Sequence, residues 1–425
     1  MNYHNAMEII EQANKFGSVL GLDNITRLLE LLGNPQNQCN VIHIAGTNGK
    51  GSILAYLDGI LREAGYSVGR YISPTIFEYR ERFQINGIYI SEEDFAYCME
   101  KVEAAIKIML ERGYEHPTVY EIETAISFIY FLEKQVNIVL LETGLGGRLD
   151  ATNVVQQPLC EVIASISMDH MQFLGDSLEK IAMEKAGIIK SHTSVVVSPN
   201  EDRVCQVMKQ VCNDRQAVLH IVEPEYEILY SSLKGQSFRY EGQIYEIRML
   251  GEHQVRNAIT AIQVCKVLGQ FNVSRQHITE GLKNTLWQGR FEVISMDPVV
   301  IRDGAHNEDA ATALKQTLQQ YLKDYRLIYI MGVFADKDYE KMIEITAPLA
   351  DTIITITPDN PRGLPAEKLA KTAKMYCGNV FVGSDLEQAM QQAKVLVEKN
   401  SDKTAIVMFG SLSFIGTAEE LTGGK

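Results

Sequence analysis

The stretch Val41–Ser52, VIHIAGTNGKGS, restricts this chain to few architectures. Val41–Ala45 is apolar and partly β-branched, which predicts a buried strand. Gly46-Thr47-Asn48-Gly49-Lys50-Gly51-Ser52 follows at once. Ile53, Leu54, Leu57, Ile60, Leu61 and Ala64 then recur at helical spacing up to Gly65. A strand, a glycine-rich turn and a helix in succession present backbone N–H groups and a helix N-terminus to an anion. The glycines let the main chain approach a phosphate, Lys50 supplies a mobile cation, and the Ser52 hydroxyl is available to a bound metal. The general phosphate-loop pattern asks for Gly about six residues before the lysine and Ser or Thr directly after it. Ile44 and Gly51 stand there instead. The stretch is a narrower subtype of phosphate loop or, failing that, a glycine-rich turn without a ligand.

The pattern of strands and helices continues on both sides. Residues 1–40 read as helical, with Ile25, Leu28, Leu29 and Leu32 on one face and Gly33-Asn34-Pro35 as the stop. Tyr66–Ile72 predicts a second strand ending at Ser73-Pro74, followed by a loop, Thr75–Gly87. Helices are expected over Ser91–Arg112, Thr118–Gln135 and Ser177–Ala186, and strands over Asn137–Glu142, Glu161–Ser167 and Ser194–Ser198. Such alternation predicts an α/β fold, a mostly parallel sheet of phosphate-loop type with helices on both faces. Ligands of these sheets bind beyond the C-terminal ends of the strands. Lys50, Ser73, Glu142 and His170 all fall at that edge. Residues 220–250 alternate apolar and polar around Lys234-Gly235 and Glu241-Gly242, which predicts a β-hairpin insert before a helix at Gln254–Leu268. A boundary near Ser295–Pro298 divides a first domain, 1–296, from a smaller Rossmann-like α/β domain, 297–425.

Composition narrows the partners. The formal net charge of −14 argues against nucleic acid. No apolar run approaches the roughly 20 residues that span a bilayer, and the first residues resemble an amphipathic helix and not a signal peptide, so a cytoplasmic location is expected. The 7 cysteines include no CxxC pair and read as reduced thiols.

Several groups have chemistry open to them. Glu142, His170 and Ser73 offer a carboxylate, an imidazole and a hydroxyl for one Mg²⁺, although His is not a typical Mg²⁺ ligand. His170 reads equally as a polar residue at a helix start, with Asp169 as the cap. Lys185, near a helix C-terminus, complements the helix dipole if it does nothing else. Asp303-Gly304-Ala305-His306-Asn307 either reaches a nucleotide or caps the next helix. Arg290 suits phosphate contact or an interdomain ion pair.

Taken together, Gly46–Ser52, Tyr71–Pro74, Glu142–Asn153 (ETGLGGRLDATN), Ser167–His170, Glu184–Ile188 (EKAGI), Gly251–Asn257, Gly289–Phe291, Asp303–Asn307 and Pro358–Gly363 carry a resemblance. The chain resembles the Mur ligase superfamily and, within it, the folylpolyglutamate synthase/dihydrofolate synthase family. Two positions differ from the family pattern: Thr75-Ile76 where His-Leu is usual, and Glu308 where Pro is usual.

The resemblance implies a Mur ligase-like ATP-binding domain over 1–296 and a glutamate ligase domain over 297–425. It implies an ATP-dependent amide ligase that adds L-glutamate to the γ-carboxylate of a reduced folate through an acyl phosphate. Dihydropteroate is a possible second acceptor. Thr47, Asn48, Gly49, Lys50, Gly51 and Ser52 would hold ATP, with Asn257, Arg290, Asp303 and His306. Ser73, Glu142, His170 and Lys185 would hold Mg²⁺, Lys185 as a carbamate. Lys50, His170 and Lys185 are the expected catalytic residues. The expected partners are folate, glutamate and ATP, with no nucleic acid and no membrane, and the expected state is a monomer. The competing readings are a UDP-muramyl amino-acid ligase and a nucleotide-binding regulatory protein without ligase chemistry.

Overall fold

The computed structural model describes residues 1–17, 19–399 and 402–416. It falls into two compact units.

The first unit comprises Met1–Pro74, Tyr79–Pro224 and Arg256–Leu282. Its sheet contains β1 (Val41–Ala45), β2 (Val68–Tyr71), β3 (Phe83–Ile85), β4 (Ile88–Tyr89), β5 (Ile138–Glu142), β6 (Cys160–Ile163), β7 (Ser194–Val197) and β8 (Val218–Ile221). The spatial order is β4-β3-β2-β5-β1-β6-β7-β8. Strands β2, β5, β1, β6, β7 and β8 run parallel, and β3 and β4 are antiparallel additions at one edge. Strands β1 and β5 are buried along their whole length, as expected for the centre of a parallel sheet covered on both faces. Helix Lys50–Glu63 buries Ile53, Leu54, Leu57, Ile60 and Leu61.

Strand β3 and the turn of the edge hairpin β3–β4 fall inside Thr75–Gly87, which reads as a loop in the sequence, and β4 follows directly after it. Asn86 and Gly87 both take positive φ, 53° and 81°, the pairing that a tight primed turn needs. Strand β6 stops at Ile163, short of the expected Ser167. The next residues leave the sheet, and Ser165 O accepts from Thr47 N and Asn48 N at 2.8 and 3.2 Å.

The second unit comprises Thr75–Glu78, Glu225–Val255 and Lys283–Lys425. The expected hairpin is a three-stranded antiparallel sheet: β9 (Glu227–Ser232), β10 (Gly235–Tyr240) and β11 (Gln243–Ile247). Glu241 and Gly242, at φ 48° and 74°, make the second of its two turns. A six-stranded sheet follows with β12 (Glu292–Met296), β13 (Val299–Arg302), β14 (Arg326–Met331), β15 (Thr352–Thr355), β16 (Val380–Val382) and β17 (Thr404–Phe409). Its order is β12-β13-β17-β14-β15-β16, parallel apart from β12. Alternate residues of its strands enter two cores. Val299, Ile301, Tyr329 and Val407 face one, and Val300, Ile328, Ile330 and Ile406 face the other. Among the described residues, no helix is long and apolar enough to cross a membrane.

Candidate active site

The glycine-rich loop leaves the end of β1 and is tied to the segment after β6. Thr47 Oγ1 donates to Ser167 O and accepts from Ser167 N, both at 3.1 Å. Asn48 Nδ2 donates to Ser167 Oγ at 3.2 Å. A Cβ on Gly46 would stand 2.6 Å from Ala164 Cβ, so only glycine lets β1 and the segment after β6 come this close. Gly49 has φ +89°, and a Cβ there would meet Asn257 Oδ1 at 2.6 Å. That contact places the Asn257 side chain against the loop. Lys50 begins the helix.

The neighbouring strands bring the other residues to the same edge. In register, Ile44 of β1 lies beside Glu142 of β5, Ala45 beside Ile163 of β6, and Leu141 beside Tyr71 of β2. Glu142 therefore ends its strand next to the phosphate loop. Ser73 lies just past β2, and the Ser167–His170 segment follows β6. Lys50 Nζ donates to Gly46 O at 3.2 Å and stands 3.7 Å from Glu142 Oε1. Lys185 Nζ reaches the same Gly46 carbonyl at 2.8 Å. Lys185 is buried. Burial, and then the nearby Lys50 cation, push its amine down to about 7 from the usual 10.5. His170 takes a left-handed conformation, φ 50°, directly before a short helix. Its backbone N–H donates to Asp169 Oδ1 at 2.8 Å, so Asp169 holds that turn.

The second glycine-rich turn, after Glu142, seats the helix that carries Lys185. Asp150 Oδ2 accepts from Gly144 N and Leu145 N at 2.9 and 2.8 Å. Its Oδ1 accepts from Thr152 N at 3.0 Å. Arg148 N donates to Glu184 O at 2.7 Å, and the Arg148 and Glu184 side chains pair at 3.0 Å. A Cβ on Gly147 would meet the carbonyl oxygens of Glu184 and Lys185 at 2.8 and 2.9 Å. Neither Asp150 nor Asn153 stands out individually in the sequence. Their signal was the GRLDATN run itself.

In the second unit, Asp303 follows β13 and is buried. Its Oδ2 accepts from Phe291 N at 2.7 Å and its Oδ1 from Ala305 N at 2.8 Å. The helix that follows is capped by Asn307, whose Oδ1 accepts from Ala310 N at 2.9 Å. Asp303 therefore serves the loop, and Asn307 takes the capping role. Burial raises the Asp303 pKa, and Arg290 opposes that rise. A Cβ on Gly304 would lie 2.1 Å from Arg290 Nη1, so the guanidinium rests on bare backbone. His306 Nδ1 lies 2.7 Å from Gly304 O. Since a carbonyl only accepts, Nδ1 carries the proton.

Two family models match the chain: the Mur ligase middle domain over residues 44–265, and the Mur ligase glutamate ligase domain over residues 289–412. The chain is 35% identical over 424 residues to the dihydrofolate synthase/folylpolyglutamate synthase of Bacillus subtilis, with 97% of each chain covered. The chain belongs to the folylpolyglutamate synthase/dihydrofolate synthase family of Mur ligases. It is thereby an ATP-dependent ligase, the enzyme class expected from its motifs. It is also 32% identical over 439 residues to the folylpolyglutamate synthase of Lacticaseibacillus casei, with all of both chains covered. The ligase superposes on the Mycobacterium tuberculosis folylpolyglutamate synthase complexed with ADP and AMPPCP with a TM-score of 0.91, at 29% identity over all of both chains. A folylpolyglutamate synthase from Thermotoga maritima gives a TM-score of 0.85 at 33% identity, covering 100% of this chain and 98% of the other.

Proposed function

We propose that this ligase joins L-glutamate to the γ-carboxylate of a reduced folate, with ATP as co-substrate and dihydropteroate as a second acceptor. The observation that carries the reading is that Lys50 and Lys185 both reach the Gly46 carbonyl while Glu142 stands beside Lys50. A carboxylate is a poor electrophile. Transfer of the γ-phosphoryl group of ATP to a carboxylate oxygen gives an acyl phosphate and ADP. The free amine of glutamate then attacks the acyl carbon, the C–O bond to phosphate breaks with its electron pair, and the amine loses a proton. Such chemistry needs positioning and charge neutralisation more than covalent help from the protein.

Residues 47–52 would hold the ATP phosphates, with Lys50 neutralising charge on them. Asn257, beside Gly49, would contact the nucleotide, as would Arg290, Asp303 and His306. Among the described residues no group of three or more His, Cys, Asp and Glu is set to hold a metal. The donors instead are Glu142, Ser73 and His170. One carboxylate completed by phosphate oxygens and water suits Mg²⁺, which dehydrates reluctantly. Bound there, Mg²⁺ would neutralise charge on the transferring phosphoryl group. Lys185, as an amine, donates to Gly46 and offers no anionic oxygen. Its lowered pKa supports conversion to a carbamate: the neutral nitrogen adds to CO₂ and releases one proton. Lys185, His170 and Lys50 are the catalytic residues of this reading. Residues 1–296 act as the ATP-binding part and 297–425 as the glutamate ligase part of a cytoplasmic monomer.

The test is ADP release from ATP and Mg²⁺ with glutamate, comparing tetrahydrofolate with dihydropteroate as acceptor. Sedimentation of the same sample reads the oligomeric state. Folate-dependent ADP release is the expected result. Release only with a UDP-muramyl acceptor, or with none, rejects the reading.

A further inference from the structure

Behind the Lys185 helix lies a set of polar side chains to which the reaction assigns no part. Asn153 Nδ2 donates to Arg148 O at 3.0 Å and to Gly187 O at 3.1 Å. Asn153 in turn accepts from Lys190 Nζ, at 2.7 Å on its Oδ1 and 3.0 Å on its backbone oxygen. Lys190 N donates to Glu161 Oε1 at 2.7 Å, and Thr193 Oγ1 donates to the same oxygen at 2.9 Å. Glu161 has no exposed surface and lies in β6, in register with His43 of β1. His43 Nε2 lies 2.8 Å from Thr152 Oγ1. Two arms thus run from the central strands to residues 150–153.

Placing these charges here is costly. Burial drives the Glu161 carboxyl up to about 7 and the Lys190 amine down to about 8. Apolar side chains of the same volume would fill such a space at equal or lower cost. What the charges provide is geometry. A cation held by two oxygens of one residue fixes that residue, here Asn153. Its amide then spans the Arg148 and Gly187 carbonyls. Gly187 stands two residues past Lys185, and Arg148 is joined to Glu184.

We propose that Asn153, Lys190 and Glu161 are positioning residues for the ligase reaction, which set through Arg148 and Gly187 where the Lys185 nitrogen stands against Gly46. The proposal rests on the role given to Lys185 above, and its test separates the two. Lys190→Met, Asn153→Ala and Lys190→Arg are compared with the parent enzyme by hydrogen–deuterium exchange and by ADP release. Exchange at Gly187, Ile188 and Ile189, whose amides bond to the carbonyls of Glu184, Lys185 and Ala186, is expected to quicken at least tenfold in the first two variants. The helix Lys50–Glu63 should keep its protection. Turnover should fall at least tenfold with nucleotide binding kept within twofold, and Lys190→Arg should recover part of the loss.

In a Lys185→Ala background, Lys190→Met should cause no further fall in residual turnover, because both act through one nitrogen. Unchanged exchange at 187–189 overturns the proposal, as does unchanged turnover, or a loss additive with Lys185→Ala. If Lys190→Met does not fold, Asn153→Ala, which keeps both charges, decides alone. The role of Lys185 fails separately, as a Lys185→Ala variant that keeps full turnover.

Discussion

Lys50 and Lys185 share one acceptor: their side-chain nitrogens lie 3.2 and 2.8 Å from the Gly46 carbonyl oxygen. Burial disfavours the Lys185 cation and the neighbouring Lys50 cation adds to that, so Lys185 loses its proton more readily. The folded-state value near 7 lies below the usual 10.5, so the neutral amine is populated above about pH 7. Turnover at fixed bicarbonate should therefore rise as pH passes upward through about 7. Lys185→Ala should lower turnover on the order of a hundredfold or more while nucleotide binding, measured by calorimetry, stays intact.

Glu142 brings a carboxylate to 3.7 Å from Lys50. Glu142→Gln keeps the shape and removes the charge. The Mg²⁺ concentration for half-maximal ADP release should increase about tenfold or more, and a chelator should abolish release in the parent enzyme.

Gly49→Ala would force a Cβ into a left-handed conformation and onto Asn257 Oδ1. The conformational cost alone is roughly 1–2 kcal/mol. A weakened affinity for ADP, with the fold kept by circular dichroism, is the expected result.

Asp303→Ala would leave Phe291 N and Ala305 N without their acceptor. Two buried donors so orphaned cost about 2–6 kcal/mol, to be read as a lower urea midpoint.

Glu161 gives a pH signature of stability. Its folded value is near 7 against 4.5 for the free group, so the folded state binds the proton more tightly. That stabilisation is complete below about pH 4.5 and is lost as pH rises through about 7. It amounts to about 3 kcal/mol. Glu161→Gln should flatten the fall in urea midpoint between pH 5 and pH 7.5 relative to the parent chain. An unchanged slope would show that the carboxyl does not titrate differently on folding.

The phosphate loop, its strand and its helix were readable because their signals are local: an apolar run, glycines, and helical periodicity. The strand ends at Glu142 and near Ser73 followed from the same logic, and with them the shared rim. The hairpin at Asn86-Gly87 was signalled by that dipeptide, but the charged stretch before it, Glu78–Arg82, obscured the pattern. Strand β8 is short, with none of its residues buried, and its end, His220-Ile221, falls in the 220–250 stretch that reads as the hairpin insert. The early end of β6 depends on Ser165 accepting from Thr47 and Asn48, a contact between segments more than a hundred residues apart in the chain. The packing of Glu225–Val255 with the C-terminal sheet is likewise a long-range choice. The contacts of Asp150, Asn153 and Lys190 are a matter of side-chain geometry, which spacing does not encode.

Because Thr47 and Asn48 are stitched to Ser165 and Ser167, the loop's shape is held by the chain's own hydrogen bonds and is set when the protein folds. The entropy of ordering those residues is spent once per folding event and not once per turnover. In the function proposed above, an incoming triphosphate would meet a preorganised cradle, and more of its interaction free energy would remain for alignment of the reacting groups.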